Sequence, residues 1–322
     1  MKFPRAVVIG KFLPPHRGHK HLIDTALAQS RHVSVIVCVR PTDSVPGEIR
    51  AAWLRELHPQ ASVLCIDDRY DADDSALWGR KTIEWLGSPP DAVFTSEHYG
   101  DAYAKAMGCE HILVDLARNK VPCSATMIRS NPWRAWEFLE APVRAWYALR
   151  VCVVGAESTG TTTLARDLAR ALQTVWVPEY GREYCEAKQR CGETEWKSAE
   201  FTVIAHEQTR RENEAARHAH RVLICDTNAW ATRLWHRRYL GYESELVEKI
   251  AAGLKCDLYL LTGSEIPFVQ DGLRDGEAIR QTMQDWFVEE LDRQTVPWCL
   301  IEGSPERRLK TAVERIERLF DR

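Results

Sequence analysis

Apolar residues in this chain cluster in short, dense runs, and the stretches between them carry apolar positions at helical spacing. RAVVIGKF (5–12), HVSVIVCVR (32–40), SVLCID (62–67), DAVFTSE (91–97) and HILVDL (111–116) are runs of strand length. Runs that do not alternate with polar residues are strands covered on both faces. HLIDTALAQS, a segment near 48–57 and AYAKAMG separate them as helices. Strands alternating with helices imply parallel βαβ units. Segment 131–149, NPWRAWEFLEAPVRAWYAL, reads as one or two helices closing a first domain.

The pattern then restarts. RVCVVG (150–155), RVLICDT (221–227), DLYLLTG (257–263) and PWCLIEG (297–303) are strands, and WVPEYGREY (176–184) holds a short strand and an acidic–basic turn. STGTTTLARDLARAL, a polar stretch over 195–219 and PERRLKTAVERIERLF are helices. The expected fold is α/β, two doubly wound parallel-sheet domains over 1–148 and 149–322, and 322 residues suit two domains.

Composition narrows the class. A net charge of −3 and a pI of about 6.4 argue against a dedicated nucleic-acid surface, which is usually basic. No apolar run approaches the roughly 18 residues of a membrane span, so no membrane insertion is expected. The N-terminal MKFPRAVVIGKF reads as a strand and not as a secretory signal, which makes the cytoplasm the expected location. None of the 10 cysteines forms a C-x-x-C pair, and several lie in apolar strands, so reduced buried thiols are expected.

Two loops carry the candidate chemistry. In the first, GKFLPPHRGHKHLI (10–23), His16 and His19 flank Gly18 between a strand and a helix. With 11 His and 17 Gly in 322 positions, H-x-G-H arises by chance about 0.02 times. Ligands of open parallel sheets bind beyond the carboxyl ends of the strands. A helix starting near Gly18 offers N–H groups and a positive dipole end to an anion, and two imidazoles add side-chain donors. In the second, GAESTGTTTL (155–164), Gly155 and Gly160 match a phosphate-binding loop, with Ser158, Thr159, Thr162 and Thr163 among its hydroxyls. The position that usually holds lysine is Thr161. Downstream, Asp226 ends an apolar run where a carboxylate can meet Mg²⁺ or a substrate hydroxyl, with Thr162 as the companion metal ligand. Glu179, Tyr180 and Arg182 follow another strand, and Arg274 sits in FVQDGLRDG (268–276), where it can close over phosphates.

GKFLPPHRGH resembles the G-x-F-x-P-x-H-x-G-H signature of the nucleotidyltransferase superfamily, and CSATMIRS (123–130) resembles that family's second motif. The resemblance implies adenylyl transfer from ATP with Mg²⁺. It implies Lys11, His16, His19 and Arg129 as catalytic residues, with Gly10, Phe12, Gly18, Ser124 and Thr126 around the ATP. FTSEHYGDAYAKAMG resembles a segment of nicotinamide-mononucleotide adenylyltransferases. That adds Ser96, Glu97, Tyr99, Asp115 and Arg118 to the mononucleotide and adenine region.

The second half resembles the kinase half of bifunctional nicotinamide-nucleotide adenylyltransferase/ribosylnicotinamide kinase proteins, through GAESTGTTT, VPEYGREY, ICDTN and FVQDGLRDG in that order. The implied architecture is a Rossmann-like nucleotidyltransferase followed by a P-loop kinase-like domain. The implied ligands are ATP, nicotinamide mononucleotide, ribosylnicotinamide and NAD, with homo-oligomerisation left open. The first strand begins near residue 5, so the helix-turn-helix that precedes this region in some members is not expected. A lysine beside the phosphates is worth on the order of 4 kcal/mol at 4 Å and an effective dielectric of 20. Its replacement leaves two enzymatic readings: an active kinase with another cation (Arg182, Arg274 or Arg280) in its place, or an adenylyltransferase whose second domain is a regulatory nucleotide sensor. A non-enzymatic nucleotide sensor and a transferase acting on a non-nicotinamide substrate are the further alternatives.

Overall fold

A computed structural model describes residues 2–71, 73–270 and 277–321. The chain divides into two compact units, Met1–Val143 and Arg144–Arg322, where the sequence pattern suggests a boundary at 148/149.

The first unit is built on β1 (Phe3–Gly10), β2 (Ser30–Val39), β3 (Ser62–Asp67), β4 (Ala92–Thr95) and β5 (Glu110–Leu113). The sheet is parallel throughout, in the order β3-β2-β1-β4-β5. Its helices are α1 (Arg17–Gln29), α2 (Gly47–Leu57), α3 (Ser75–Leu86), α4 (Gly100–Met107), α5 (Ala125–Ser130) and α6 (Ala141–Tyr147), the last crossing the division. The strand runs do not alternate because both faces are covered. Ala6 and Val8 of β1 pack with Leu22, Ile23 and Leu54 on one face. Val7, between them, packs with Ile36, Val93, Tyr103 and Met107 on the other. The sheet's order reverses between β1 and β4, the position at which an open parallel sheet leaves a crevice.

The second unit repeats the plan with β6 (Leu149–Val154), β7 (Trp176–Val177), β8 (Val222–Asp226), β9 (Leu258–Thr262) and β10 (Trp298–Ile301), in the parallel order β10-β9-β6-β8-β7. Its helices are α7 (Thr161–Ala171), α8 (Tyr180–Arg190), α9 (Ser198–Ala216), α10 (Ala229–Leu240), α11 (Glu245–Ala252), α12 (Glu277–Arg293) and α13 (Pro305–Glu317). β6 and β8 pair so that Val153 lies level with Asp226, which brings the carboxylate beside the loop leaving β6. One local expectation is corrected. The acidic–basic segment after β7 is the first turn of α8 and not a turn: Tyr180 and Tyr184, four residues apart, share one helix side and pack edge to face. No helix among the described residues is long and apolar enough to cross a membrane.

Candidate functional site

Each unit carries a loop between its central strand and the following helix. In the first unit, β1 ends at Gly10 and α1 begins at Arg17. His16 is the N-cap, and its Nδ1 accepts from the Gly18 amide at 3.1 Å and the His19 amide at 3.4 Å. This corrects the expectation of free amides at the helix start: those two are occupied by an imidazole. With Nδ1 as acceptor, the His16 proton sits on Nε2. The Cys123 thiol also lies 3.3 Å from Nδ1. His19 stacks on His16 with ring centroids 3.8 Å apart, and the buried Phe12 ring meets His19 edge-on at 4.9 Å. Phe12 thus braces a histidine from below.

Both histidines are neutral at pH 7. Burial, followed by the positive field of Arg118, brings the His16 imidazole down to about 4. Burial, then His16 and Arg118, hold His19 well below its ordinary range. Each offers one N–H and no net charge to an incoming anion.

A cavity of about 550 Å³ opens over this loop at the β1/β4 crevice. It brings together Gly10, Lys11, Phe12, His16, Gly18 and His19 with Ser96, Glu97 and Tyr99, with Asp115 and Arg118, and with Ser124 and Thr126. A second cavity of about 230 Å³ shares Gly10, Lys11 and Tyr99 with it and adds Trp78, Tyr103 and Asp68. Lys11 Nζ stands 3.7 Å from the buried Asp68 carboxylate, which Arg40 Nε also holds at 2.7 Å.

Some predicted residues are engaged otherwise. Arg129 does not line the cavity; its guanidinium donates to the Leu13 carbonyl at 2.6 Å and to Thr126 Oγ1 at 3.1 Å. Ser124 caps α5, its Oγ accepting from the Met127 amide at 3.1 Å. Asp115 spends its carboxylate on its own loop, accepting from the amides of Asn119 (2.8 Å), Lys120 (3.1 Å) and Val121 (3.1 Å). Burial opposes the Asp115 charge, and these amides outweigh it and keep the carboxyl below its ordinary range. Arg118 reaches Glu97 at 3.5 Å, both of them half-exposed. Arg50, unmarked in the sequence, is wholly buried on α2 and ties the Lys11 carbonyl to Cys38 O and Asp43.

In the second unit the loop 155–160 leaves β6 and enters α7 through Gly160 at φ +87°, a left-handed conformation natural to glycine. Ser158 adopts φ +59° and is held there: its Oγ accepts from the Val269 amide at 2.9 Å. A Cβ on Gly155 would lie 2.3 Å from Thr262 Oγ1, so only glycine fits. Thr159 Oγ1 donates to Ala156 O at 2.7 Å and accepts from Thr262 Oγ1 at 2.7 Å, so this hydroxyl serves the fold. Thr162 Oγ1 donates to Asp226 Oδ2 at 2.6 Å, the neighbouring Thr161 hydroxyl favours the charge of the same carboxylate, and Thr163 is exposed one residue on.

Asp226 is 1% exposed, and its Oδ1 has no hydrogen-bond partner among the described residues. Burial raises Asp226 against the hydroxyls of Thr162 and Thr161 and the charge of Arg182. Burial, then the Asp226 charge, raises Glu179 as well. A cavity of about 150 Å³ joins Gly155 and Ser158 to Glu179 and Arg182, and is walled by Trp196, Trp235 and Tyr239. Tyr180 stands beside it with its amide on Gln208 Oε1 at 2.9 Å and its ring under Arg211. Arg280 does not face this cavity; it is buried behind the loop, donating to Ser158 O at 3.1 Å and Ile266 O at 2.8 Å. Arg274 lies outside the described residues.

Comparison with known proteins follows this geometry. The NadR protein of Escherichia coli (strain K12), a "Trifunctional NAD biosynthesis/regulator protein", is 28% identical over 334 residues, covering 94% of this chain and 81% of that protein. Over almost its whole length, the chain is similar to that protein. The NadR protein of Salmonella typhimurium (strain LT2) is 27% identical, covering 99% of this chain and 85% of that one. A NadR crystal structure in complex with NR superposes with a TM-score of 0.81 at 22% identity, covering 98% of this chain and 95% of that chain. A NadR structure with NAD and AMP-PNP superposes at 0.76 with 21% identity, covering 99% and 97%. At these identities the superpositions show the shared NadR fold. Residues 150–308 match a family model described as an AAA domain, a nucleotide-binding P-loop class.

Proposed function

We propose that this chain is an NAD-salvage enzyme with two activities. The first unit transfers the adenylyl group of ATP to nicotinamide mononucleotide, giving NAD and pyrophosphate. The second phosphorylates the 5′-hydroxyl of ribosylnicotinamide with ATP, giving that mononucleotide. The observation that carries the reading is the convergence of the H-x-G-H loop and the S-x-T segment on one cavity at the β1/β4 crevice. The curated NadR relatives, named as NAD biosynthesis proteins, support the substrate class.

In the transfer, the mononucleotide phosphate attacks the α-phosphorus of ATP and the bond to pyrophosphate breaks. The nucleophile is already an anion, so no general base is required, and catalysis rests on position and charge neutralisation. His16 and His19 donate N–H to phosphate oxygens, and Lys11 supplies a full charge. Ser124, Thr126 and Arg129 serve the departing phosphates after Arg129 exchanges the Leu13 carbonyl for an anion. Trp78, Tyr99 and Tyr103 in the adjoining cavity suit a flat pyridine ring, next to Ser96, Glu97, Asp115 and Arg118.

In the kinase reaction, Asp226 orients the ribose hydroxyl and takes its proton as the γ-phosphoryl group moves. Glu179, which burial keeps protonated, donates a hydrogen bond to a substrate oxygen, and Arg182 balances the carboxylates. The aromatic wall of Trp196, Trp235 and Tyr239 receives the base. The site fits Mg²⁺, because Asp226 Oδ1 is a buried oxygen with no partner among the described residues and the Thr162 hydroxyl stands at its other oxygen. Bound with ATP, Mg²⁺ supplies charge neutralisation on the phosphates.

Thr161 favours a second reading, in which only the adenylyltransferase works and the second unit senses nucleotide. Incubation of the protein with ATP·Mg and ribosylnicotinamide, beside a reaction started from nicotinamide mononucleotide, separates the two. NAD from both substrates supports two activities. NAD from the mononucleotide alone selects the sensor reading, and NAD from neither overturns the nicotinamide assignment.

A further inference from the structure

The loop 155–162 lacks the lysine that normally neutralises the phosphates, yet it is strapped from behind by two buried arginines on separate helices. Arg280 of α12 donates to the carbonyl of Ser158 at 3.1 Å. Arg308 of α13 donates to the carbonyl of Thr159 at 2.6 Å, and also holds Gly263 O at 3.0 Å and Glu265 at 2.7 Å. Each is 6% exposed. A trans peptide directs its N–H opposite to its C=O. Carbonyls of 158 and 159 turned toward the arginines therefore aim the amides of Thr159 and Gly160 to the loop's other side.

A guanidinium hydrogen-bonded to a carbonyl also polarises that peptide, and its N–H becomes a stronger donor. The positive field is thus passed through two peptide units into the hollow where phosphates bind. Coulomb energy falls only as the inverse of distance, and buried charges are weakly screened, so the Arg280 charge and the part of the Arg308 charge that Glu265 does not offset still act one peptide away. Arg182 is less suited, since it sits among the carboxyls of Glu179, Asp226 and Glu157.

We infer that Arg280 and Arg308 are positioning residues that replace the missing lysine, holding the amides of Thr159 and Gly160 toward the phosphates of a nucleoside triphosphate and lending them charge. This rests on the second unit binding ATP at this loop, and the test separates the two ideas. Arg280→Met and Arg308→Met, each with and without Thr161→Lys, are assayed in the full chain for ATP-dependent phosphorylation of ribosylnicotinamide. Melting curves of the same preparations report that the second unit, which carries both arginines, is folded, and adenylyl transfer reports on the first. The expected result is a KM for ATP raised about tenfold in each methionine variant, a smaller change in kcat, and adenylyl transfer unchanged. Thr161→Lys should recover most of that loss, and should improve the methionine variants by a larger factor than it changes the otherwise native chain. A purely structural strap would not be rescued by a charge on the opposite side of the loop. If Thr161→Lys gives no recovery in folded variants, or improves the native chain by the same factor, the inference is overturned. If the native chain phosphorylates nothing, the kinase reading fails. The same pattern is then sought in titrations with Mg·ADP, where rescue supports the inference and its absence overturns it.

Discussion

The two units solve the same problem with opposite materials. Each sets a loop between the central strand of a parallel sheet and the next helix, beyond the carboxyl ends of the strands. In the first unit the amides at Gly18 and His19 are satisfied internally by the His16 ring, and neutral imidazoles are left to read the ligand. In the second, glycines keep the backbone itself exposed to the ligand, with a buried carboxylate in front and two arginines behind. The first site is indifferent to mild acid because its histidines are already uncharged. The second holds raised carboxyls, and the phosphoryl transfer proposed for it is tied to their ionisation.

The sharpest break in this comparison is Asp226→Asn. Loss of the proton acceptor should lower ribosylnicotinamide phosphorylation by roughly 10³-fold, within the range for general base catalysis, and leave NAD formation from the mononucleotide within twofold. Chromatographic product analysis reads both. His19→Ala should do the converse, lowering dinucleotide formation about 10²-fold or more through a lost preorganised donor, with phosphorylation retained. Loss of both activities in a folded variant would undo the division into two sites. Gly155→Ala tests whether the second loop is truly a backbone device. Its Cβ would meet Thr262 Oγ1 at 2.3 Å, so the KM for ATP in the kinase reaction should rise about tenfold and the melting temperature should fall by several degrees.

A pH comparison is gentler. Asp226 is pushed up to about 6 by burial, so kinase activity should fall as pH drops through that value, while adenylyl transfer in the same buffers declines only at lower pH. Stability carries opposite signs in the two sites. A histidine depressed to about 4 binds fewer protons folded than unfolded, so it adds stability as pH rises from about 4 to 6.5. A raised carboxyl binds more protons folded, so Asp226 removes stability as pH rises from 3.8 to about 6. Melting curves of the native chain and of Asp226→Asn across this range check the second sign, since the variant should lose that decline.

Much of this was legible in the strand runs and in the two loops. H-x-G-H, the S-x-T segment and 94–118 are far apart in sequence yet line one cavity, because each follows a strand of the same sheet and parallel strands deliver their ends to one side. Asp226 beside Thr162 was legible for the same reason. Other assignments were not. A buried arginine on an amphipathic helix has the same spacing as a solvated one, so nothing in the pattern separates Arg50 or Arg308 from the exposed Arg170. Asp115 and Arg129 illustrate the reverse: their motif positions are clear, but local amides and the Leu13 carbonyl claim their polar atoms.

By itself, then, the order of apolar runs and glycine-bounded loops determined two parallel α/β units and the places where each can meet phosphate. Those features depend on contacts between chain neighbours and on one periodicity at a time. Tertiary structure alone decided which polar groups remain available. It brought the Cys123 thiol to the His16 Nδ1, left one oxygen of Asp226 buried without a partner among the described residues, and set Arg280 and Arg308 behind Ser158 and Thr159. The physical reason is that a hydrogen-bonding group is defined by what satisfies it, and those partners come from distant segments.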